Sequence, residues 1–504
     1  MADIVLTGLA TNDPVPGEYV EVAFAQGVPS LANGVDYVLL MGNILSSGAG
    51  AVNTLYGPDT PIPMTGIDDA NLLFGESSEL ARLVSRFVKT NQTTPVYAIG
   101  VAEGGSATAA TGTITVTGPA TGNGTLRIYV DDEFCDVGFV TGDSATTIAT
   151  NAVTQITAKS SWRASASNVT PTTITLTTKQ KGLRANSLRY FARVIPFTGT
   201  GVGVTPTTST LATGGTVSDD VAAALAVVVA RKFAYIVPAH VDATNLGKVL
   251  TQINTQAAPV TGIRQAMVAG STDSLANSIT IVDSLNSARS ELIWQLEGDI
   301  PAGELAAHVC AAYMLYEAPS VPRLNFNFYG DADGEPWFVK PALSGAAPTR
   351  GQIAAALNAG LTPIASRSAS SAYLVKRITT RYKTGAVLDY RIRDAHKRVV
   401  CDRYADSLVA GAALRFRGKE IGDDPKNNEP LAGPRVVTPR VVKAFLDGVT
   451  DVYAGNDLLQ NVPTIKAQTQ VLRDSQNRQR MGARVPLQPI DILDQLAAKV
   501  DQVA

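Results

Sequence analysis

The first 80 residues of this 504-residue chain contain no lysine and no arginine. A polyphosphate would find nothing there to neutralise it. The chain has only three cysteines (Cys135, Cys310, Cys401), far apart, which argues against a disulfide framework and for a reducing compartment. Histidines are equally few, at 240, 308 and 396, and none lies near a cysteine or another histidine in the manner of a metal site, except that His308 is two residues from Cys310 on an apolar helix and reads as core. The longest apolar run, Val221–Ala230, is about half of what a bilayer span requires. The opening MADIVLTG has neither a basic n-region nor an apolar h-region, so no secretory signal is expected. Aromatics make up 6% and charged residues 17%, against 45% hydrophobic, which fits a soluble globular protein of two to four domains.

Charge is present but unevenly placed. Residues 1–80 hold ten carboxylates, whereas residues 371–504 hold 22 Lys and Arg against 15 Asp and Glu. An acidic head and a basic tail can meet within one molecule, or head to tail between copies; the second arrangement is heterologous and builds rings or tubes. Nucleic acid is a weaker reading, because the basic end is interleaved with acids and the net charge is −2.

Periodicity divides the chain. In residues 1–30, TNDPVPGEYVEVAF reads as an arm carrying a lone strand with Tyr19, Val20, Val22 and Phe24. Residues 31–102 begin an α/β unit: a buried strand at 37–41, a helix at 76–90 with Leu80, Leu83, Val84, Phe87 and Val88 on one face, and a strand at 95–101. From 103 to 217 roughly a quarter of residues are Thr, and TITVT, LRIYV and TITLT alternate as half-buried antiparallel strands do. One helix is expected there, over 144–159, capped by Asp143. After 218 the α/β rhythm resumes: a helix capped by Ser218, strands at 233–237, 264–269 and 292–296, and helices around Leu246–Ile253, 273–289 and 303–316. The 103–217 block therefore interrupts one host unit, which continues to 370. Residues 371–464 read as an α+β unit: a strand over SAYLVKRITTRY, a helix near 394–410, and a helix opened by Thr438-Pro439. Residues 465–504 read as a second arm, with a strand at 465–473 carrying Ile465, Val471 and Leu472, and a closing helix at about 490–503.

Catalytic and cofactor motifs fail. YVLLMGNILSSGAG (37–50) looks like a phosphate loop, but no GK[ST] follows and Gly42, Gly48 and Gly50 do not have GxGxxG spacing. GDADGE (330–335) resembles the start of a calcium loop without its later ligands. No GxSxG occurs. No catalytic residue, metal or cofactor is expected. A self-assembling structural protein fits better than an enzyme.

NLLFGESSELARLVSRFVKTNQTTPVYAIGV (71–101) resembles the Mu-like family of contractile tail sheath proteins of bacteriophages and prophages. That family has a similar Phe-Gly-x-Gly-Ser; Ser77 stands here at its second glycine. PVPGEYVEVAF and YVLLMGNILSSGAG are similar to the family's arm and first core strand. The stretch from TGTITVTG through GTLRIYVDDEFCDVGFVTGDSATTIATNAVTQI to KQKGLRANSL is similar to its inserted β domain. LVKRITTRY, YRIRDAHKRVVCDRYADSLV and VTPRVVKAFLDGV are similar to its C-terminal region. The resemblance implies a helix-covered mixed-sheet α/β core, an inserted β-rich domain, and an α+β C-terminal domain with terminal strand-exchanging arms. It implies homo-oligomers as hexameric rings stacked into a helical tube, around an inner tail tube protein, with baseplate and tail terminator proteins as further partners. It implies a virion component assembled in the host cytoplasm, with no direct nucleic acid and no stable membrane association. A tail-like bacteriocin or other contractile injection system would carry the same subunit. Rivals of other classes are an α/β enzyme with a β-rich accessory domain and a Thr-rich adhesin.

Overall fold

The structure, a computed structural model, describes residues 36–51, 58–197, 201–208, 211–316, 341–366, 372–391, 393–426 and 435–492, together with Gly17, Val20, Val339 and Gly433. The arm residues Tyr19, Val22 and Phe24 and the expected closing helix from 493 onward lie outside these.

The chain opens with β1 (Val38–Asn43), β2 (Pro61–Met64), α1 (Ile67–Phe74), α2 (Glu79–Thr90) and β3 (Val96–Val101). The Thr-rich block follows as β4 (Ala109–Thr117), β5 (Gly124–Val130), β6 (Glu133–Phe139), α3 (Ala145–Thr157), β7 (Ala164–Thr170), β8 (Thr173–Lys181), β9 (Tyr190–Pro196) and β10 (Thr205–Thr208). Next come α4 (Ala222–Val228), β11 (Tyr235–Pro238), α5 (Ala243–Gln256), β12 (Ala266–Ser271), α6 (Leu275–Leu285), β13 (Ser290–Trp294), α7 (Ala302–Tyr316), α8 (Arg350–Asn358), β14 (Thr362–Ser366) and β15 (Ala372–Leu374). The last part holds β16 (Lys383–Thr384), β17 (Val387–Leu388), α9 (Ala395–Phe416), β18 (Glu420–Ile421), β19 (Val436–Val437), α10 (Pro439–Gly455), α11 (Val462–Gln468), β20 (Gln470–Arg473) and β21 (Met481–Arg484).

Eight strands form the central sheet, in the order β15-β14-β13-β12-β11-β1-β3-β2. Its six inner strands are parallel, and only the edge strands β2 and β15 run antiparallel. Parallel strands are buried on both faces, which is why β1 reads VLLMGN with every residue buried. One face packs against α2 and α7 through Leu40, Val237, Val268, Leu83, Phe87 and Cys310. The other packs against α4, α5 and α6 through Leu39, Met41, Ile236, Leu225, Val249 and Val282. The mixed α/β architecture thus agrees with the sequence.

The Thr-rich block makes a four-stranded sheet (β10-β4-β8-β7) and a three-stranded sheet (β6-β5-β9), with α3 alongside. Among the described residues its core draws only on those between Ala110 and Ala212. The ends meet: the Gly104 amide donates to Asp219 at 3.2 Å, and a side chain added at Gly104 would strike Val217. The block leaves from β3 and returns ahead of β11, and both strands flank β1.

Several local expectations change. Ser144, not Asp143, caps α3, because its hydroxyl accepts from the Thr147 amide; Asp143 instead accepts from Val140. Asp220 rather than Ser218 receives a first-turn amide of α4, from Ala222. SAYLVKRITTRY is no continuous strand. Only Ala372–Leu374 pair, at the edge of the central sheet, followed by an isolated bridge at Ile378. The strand expected at 465–473 is helix α11 followed by β20, so Ile465 is helical.

Candidate inter-subunit surfaces

The Gly42 loop carries a carboxylate where a phosphate would sit. The Asn43 amide, just past Gly42 at the end of β1, donates to Glu79 Oε2 at 3.2 Å. That carboxylate also pairs with Arg184. The backbone amide and the cation that a phosphate would use are thus already taken by Glu79. The glycines serve close packing: a Cβ at Gly48 would lie 2.5 Å from the Leu73 carbonyl at the end of α1. Gly75, which ends α1, has φ +88°, a conformation that favours glycine. Ser77 is not among the residues with positive φ, so the serine there is unstrained.

The cleft outside the carboxyl ends of the parallel strands is where α/β enzymes bind ligands. Here Arg184 fills it, held by Glu79 and by Asp219 at 2.5 Å. A cavity of about 10 Å³ remains, the room of one water molecule, bordered by Asn43, Glu79, Arg163 and Arg184. His308 Nδ1 bonds the Thr90 hydroxyl at 2.9 Å, and His396 Nε2 bonds the Ile490 carbonyl at 3.0 Å. Burial holds both His240 and His396 below the usual histidine range. Among the described residues no three His, Cys, Asp or Glu side chains converge as metal ligands. No described helix is long and apolar enough to cross a membrane.

The arm candidates fall in three environments. Val20 lies at a seam between sheet and α9: its carbonyl accepts from Arg264 Nη2 at 2.7 Å, and Arg264 Nη1 bonds Asp406 at 3.0 Å. Ile465 is buried in the C-terminal core with Phe445, Tyr453 and Leu459. Val471 and Leu472 sit half-buried on β20, opposite Ala483 and Gly482 of β21. The β20–β21 hairpin is a two-stranded sheet, so among the described residues each strand has one edge without a ladder partner. Such an edge is a template for another chain's strand. The hairpin is fastened through Asp423, which receives Arg473 and Arg478 at 2.9 and 2.8 Å.

Beneath these surfaces α9 is joined to the sheet by charge. Glu291 on β13, fully buried, accepts from Arg377 at 2.7 and 2.8 Å and from Arg398 at 3.3 Å. Asp402 accepts two bonds from Arg289, at 2.9 and 2.8 Å, and Arg403 pairs with Asp36. Arg398 and Asp402 lie about one turn apart on α9, with Arg403 next to Asp402. Sequence reading placed this helix but missed these pairs, because the partners lie far off in the chain.

No family model matches the chain. A curated relative, the Mu-like prophage FluMu tail sheath protein of Haemophilus influenzae, is 28% identical over 174 residues, which are 34% of this chain and 34% of that protein. The match thus spans about a third of that relative's length. Among solved structures, a sheath tail protein of Desulfitobacterium hafniense is 16% identical with a TM-score of 0.47, covering 96% of this chain and 97% of that one. A sheath tail protein of Listeria innocua is 12% identical with a TM-score of 0.48, covering 92% and 94%. The chain is therefore similar in sequence to a Mu-like prophage tail sheath protein, the family that its motifs resemble.

Proposed function

We propose that this chain is the structural subunit of a contractile tail sheath. It polymerises as stacked six-fold rings around an inner tail tube, and contracts to drive that tube through a host envelope during DNA delivery. The observation that carries the reading is its similarity to the Mu-like prophage tail sheath protein over 174 residues. The β20–β21 hairpin supports it, since its edges, which have no ladder partner among the described residues, suit strands donated by neighbouring copies. On this reading Tyr19, Val20, Val22 and Phe24 belong to a donated arm that the Arg264–Val20 bond ties to its own core at one point, and Val471 and Leu472 belong to the receiving hairpin. Ile465, buried in its own core, supports the hairpin from below. The inner tube, baseplate and tail terminator proteins are its partners, and the virion its location. The same subunit would serve a tail-like bacteriocin or other injection system; particles with or without capsids tell these apart.

The enzyme reading has less support, because Arg184 occupies the cleft that a substrate would need. Electron microscopy of concentrated protein tests the proposal. The full chain is expected to form regular tubes, and a variant lacking residues 1–25 to form none while keeping its circular dichroism. A full chain that stays monomeric at every concentration sinks the sheath reading. Tubes from the truncated variant sink the arm assignment alone.

A further inference from the structure

Helix α2 carries two stripes. Leu80, Leu83, Val84 and Phe87 face the central sheet. Glu79, Arg82 and Arg86 fall three and four residues apart, on another side of the same helix. A charged stripe of this kind is ordinarily solvated, yet Arg82 is only 7% exposed. Its surroundings come from the Thr-rich block. Arg82 Nη1 donates to the Ser161 carbonyl at 3.2 Å and to Glu133 at 3.5 Å. Arg86 Nη2 donates to Asp132 at 2.5 Å. Glu79 receives Arg184, and Ser77 at the head of the helix accepts from Lys179 at 3.0 Å. Behind the stripe, Glu304 of α7 accepts from Arg82 at 2.6 Å and from Arg86 at 2.8 Å, fixing both guanidinium groups before they reach the block. Within the block, Arg163 braces Asp131 at 2.8 Å, next to the two acids that α2 engages.

Two covalent crossings, near 102–108 and 211–221, would by themselves leave the block free to swing. Weakly joined domains move relative to one another by default. We propose that the charged stripe of α2 is a docking face that clamps the 103–217 block to the core, so that the two move as one rigid body. The fit is specific. The anchors span about two turns of the helix, and each is paired with an oppositely charged or hydrogen-bonding group of the block. The pair geometry is supported from the core side by Glu304 and from the block side by Arg163.

Spin labels test this on the full-length monomeric chain, one at exposed Gln92 beyond α2 and one at exposed Asn151 on α3. The unaltered chain is expected to give a single narrow distance distribution. R82M, which removes the central contact, is expected to broaden it, since weakly joined domains move relative to one another. D132N/E133Q alters only the block's side of the contact and leaves Arg82 and Arg86 paired with Glu304. It decides the matter if R82M fails to fold, and is expected to broaden the distribution as well. A broad distribution in the unaltered chain, or a narrow one in the folded variants, overturns the proposal. Neither outcome depends on tube formation.

Discussion

Glu304 and Asp299 show how the same neighbourhood can drive two carboxyls in opposite directions. Burial alone would raise Glu304, but Arg82 and Arg86 outweigh it and hold the group down to about 2. Asp299 is raised to about 6, chiefly by burial, although it accepts the Leu343 amide at 2.5 Å. The signs differ accordingly. Glu304 contributes stability that is present above the unfolded carboxyl range and lost as pH falls from about 4.5 towards 2. Asp299 binds its proton more tightly when folded, so it costs stability as pH rises from about 4 to about 6. We expect D299N to remove that cost. The gap in thermal midpoint between D299N and the unaltered chain should be wide near pH 7 and close as pH falls towards about 4. An equal gap at both pH values would show that Asp299 does not titrate in this window. Two further buried carboxylates, Glu291 and Asp402, were not legible as anchor points in the sequence, because Arg377 and Arg289, which hold them, lie 86 and 113 residues away.

At the scale of elements, cap chemistry sets where helices begin, and here it can be tested directly. The Ser144 hydroxyl accepts from the Thr147 amide at 3.1 Å, whereas Asp143 holds the preceding turn. S144A should cost about 1 kcal/mol in denaturant unfolding of the block, as loss of such a cap usually does. D143A, which leaves the cap intact, should cost less; the reverse order would return the cap to Asp143. Strong periodicity made most long elements legible: β1, α2, β3, β5, α5, β12 and α10 all lie within a few residues of the positions read from sequence. The misses have local causes. PIPM in β2 contains two prolines, which argue against a strand, but β2 is an edge strand where a missing amide is tolerated. Helix α8 begins with a capping box, Thr349 with Gln352, a signal that was present and unread. At 462–468, Pro463 in the first turn marked a helix, but the apolar residues after it looked like a strand. The α2 stripe could not be told from a solvated face, since Glu304 is 222 residues from Arg82.

For the whole molecule, the seam between block and core matters because it is made of charge. Removing the block would uncover the charged groups of Glu79, Arg82 and Arg86, which water solvates well, in place of the partners the block gives them. The chain ends that remain, Gly104 and Val217, already touch. We therefore expect a variant with residues 105–216 replaced by a short glycine linker to fold, and to form the tubes expected of the full chain. Aggregation or loss of the central-sheet circular dichroism would show that the core needs the block.

The strand order also bears on synthesis. Strand β1 lies between β3, made before the block, and β11, made after it. Leu39 and Met41 pack against Val221, Leu225, Phe233 and later side chains. At ordinary translation speeds the ribosome needs roughly ten seconds to make the intervening stretch. For that interval the nascent chain carries a half-built sheet with an open parallel edge and one oily side bare. We expect a chaperone to engage the chain at that stage, because the exposed edge and apolar side make it prone to aggregate.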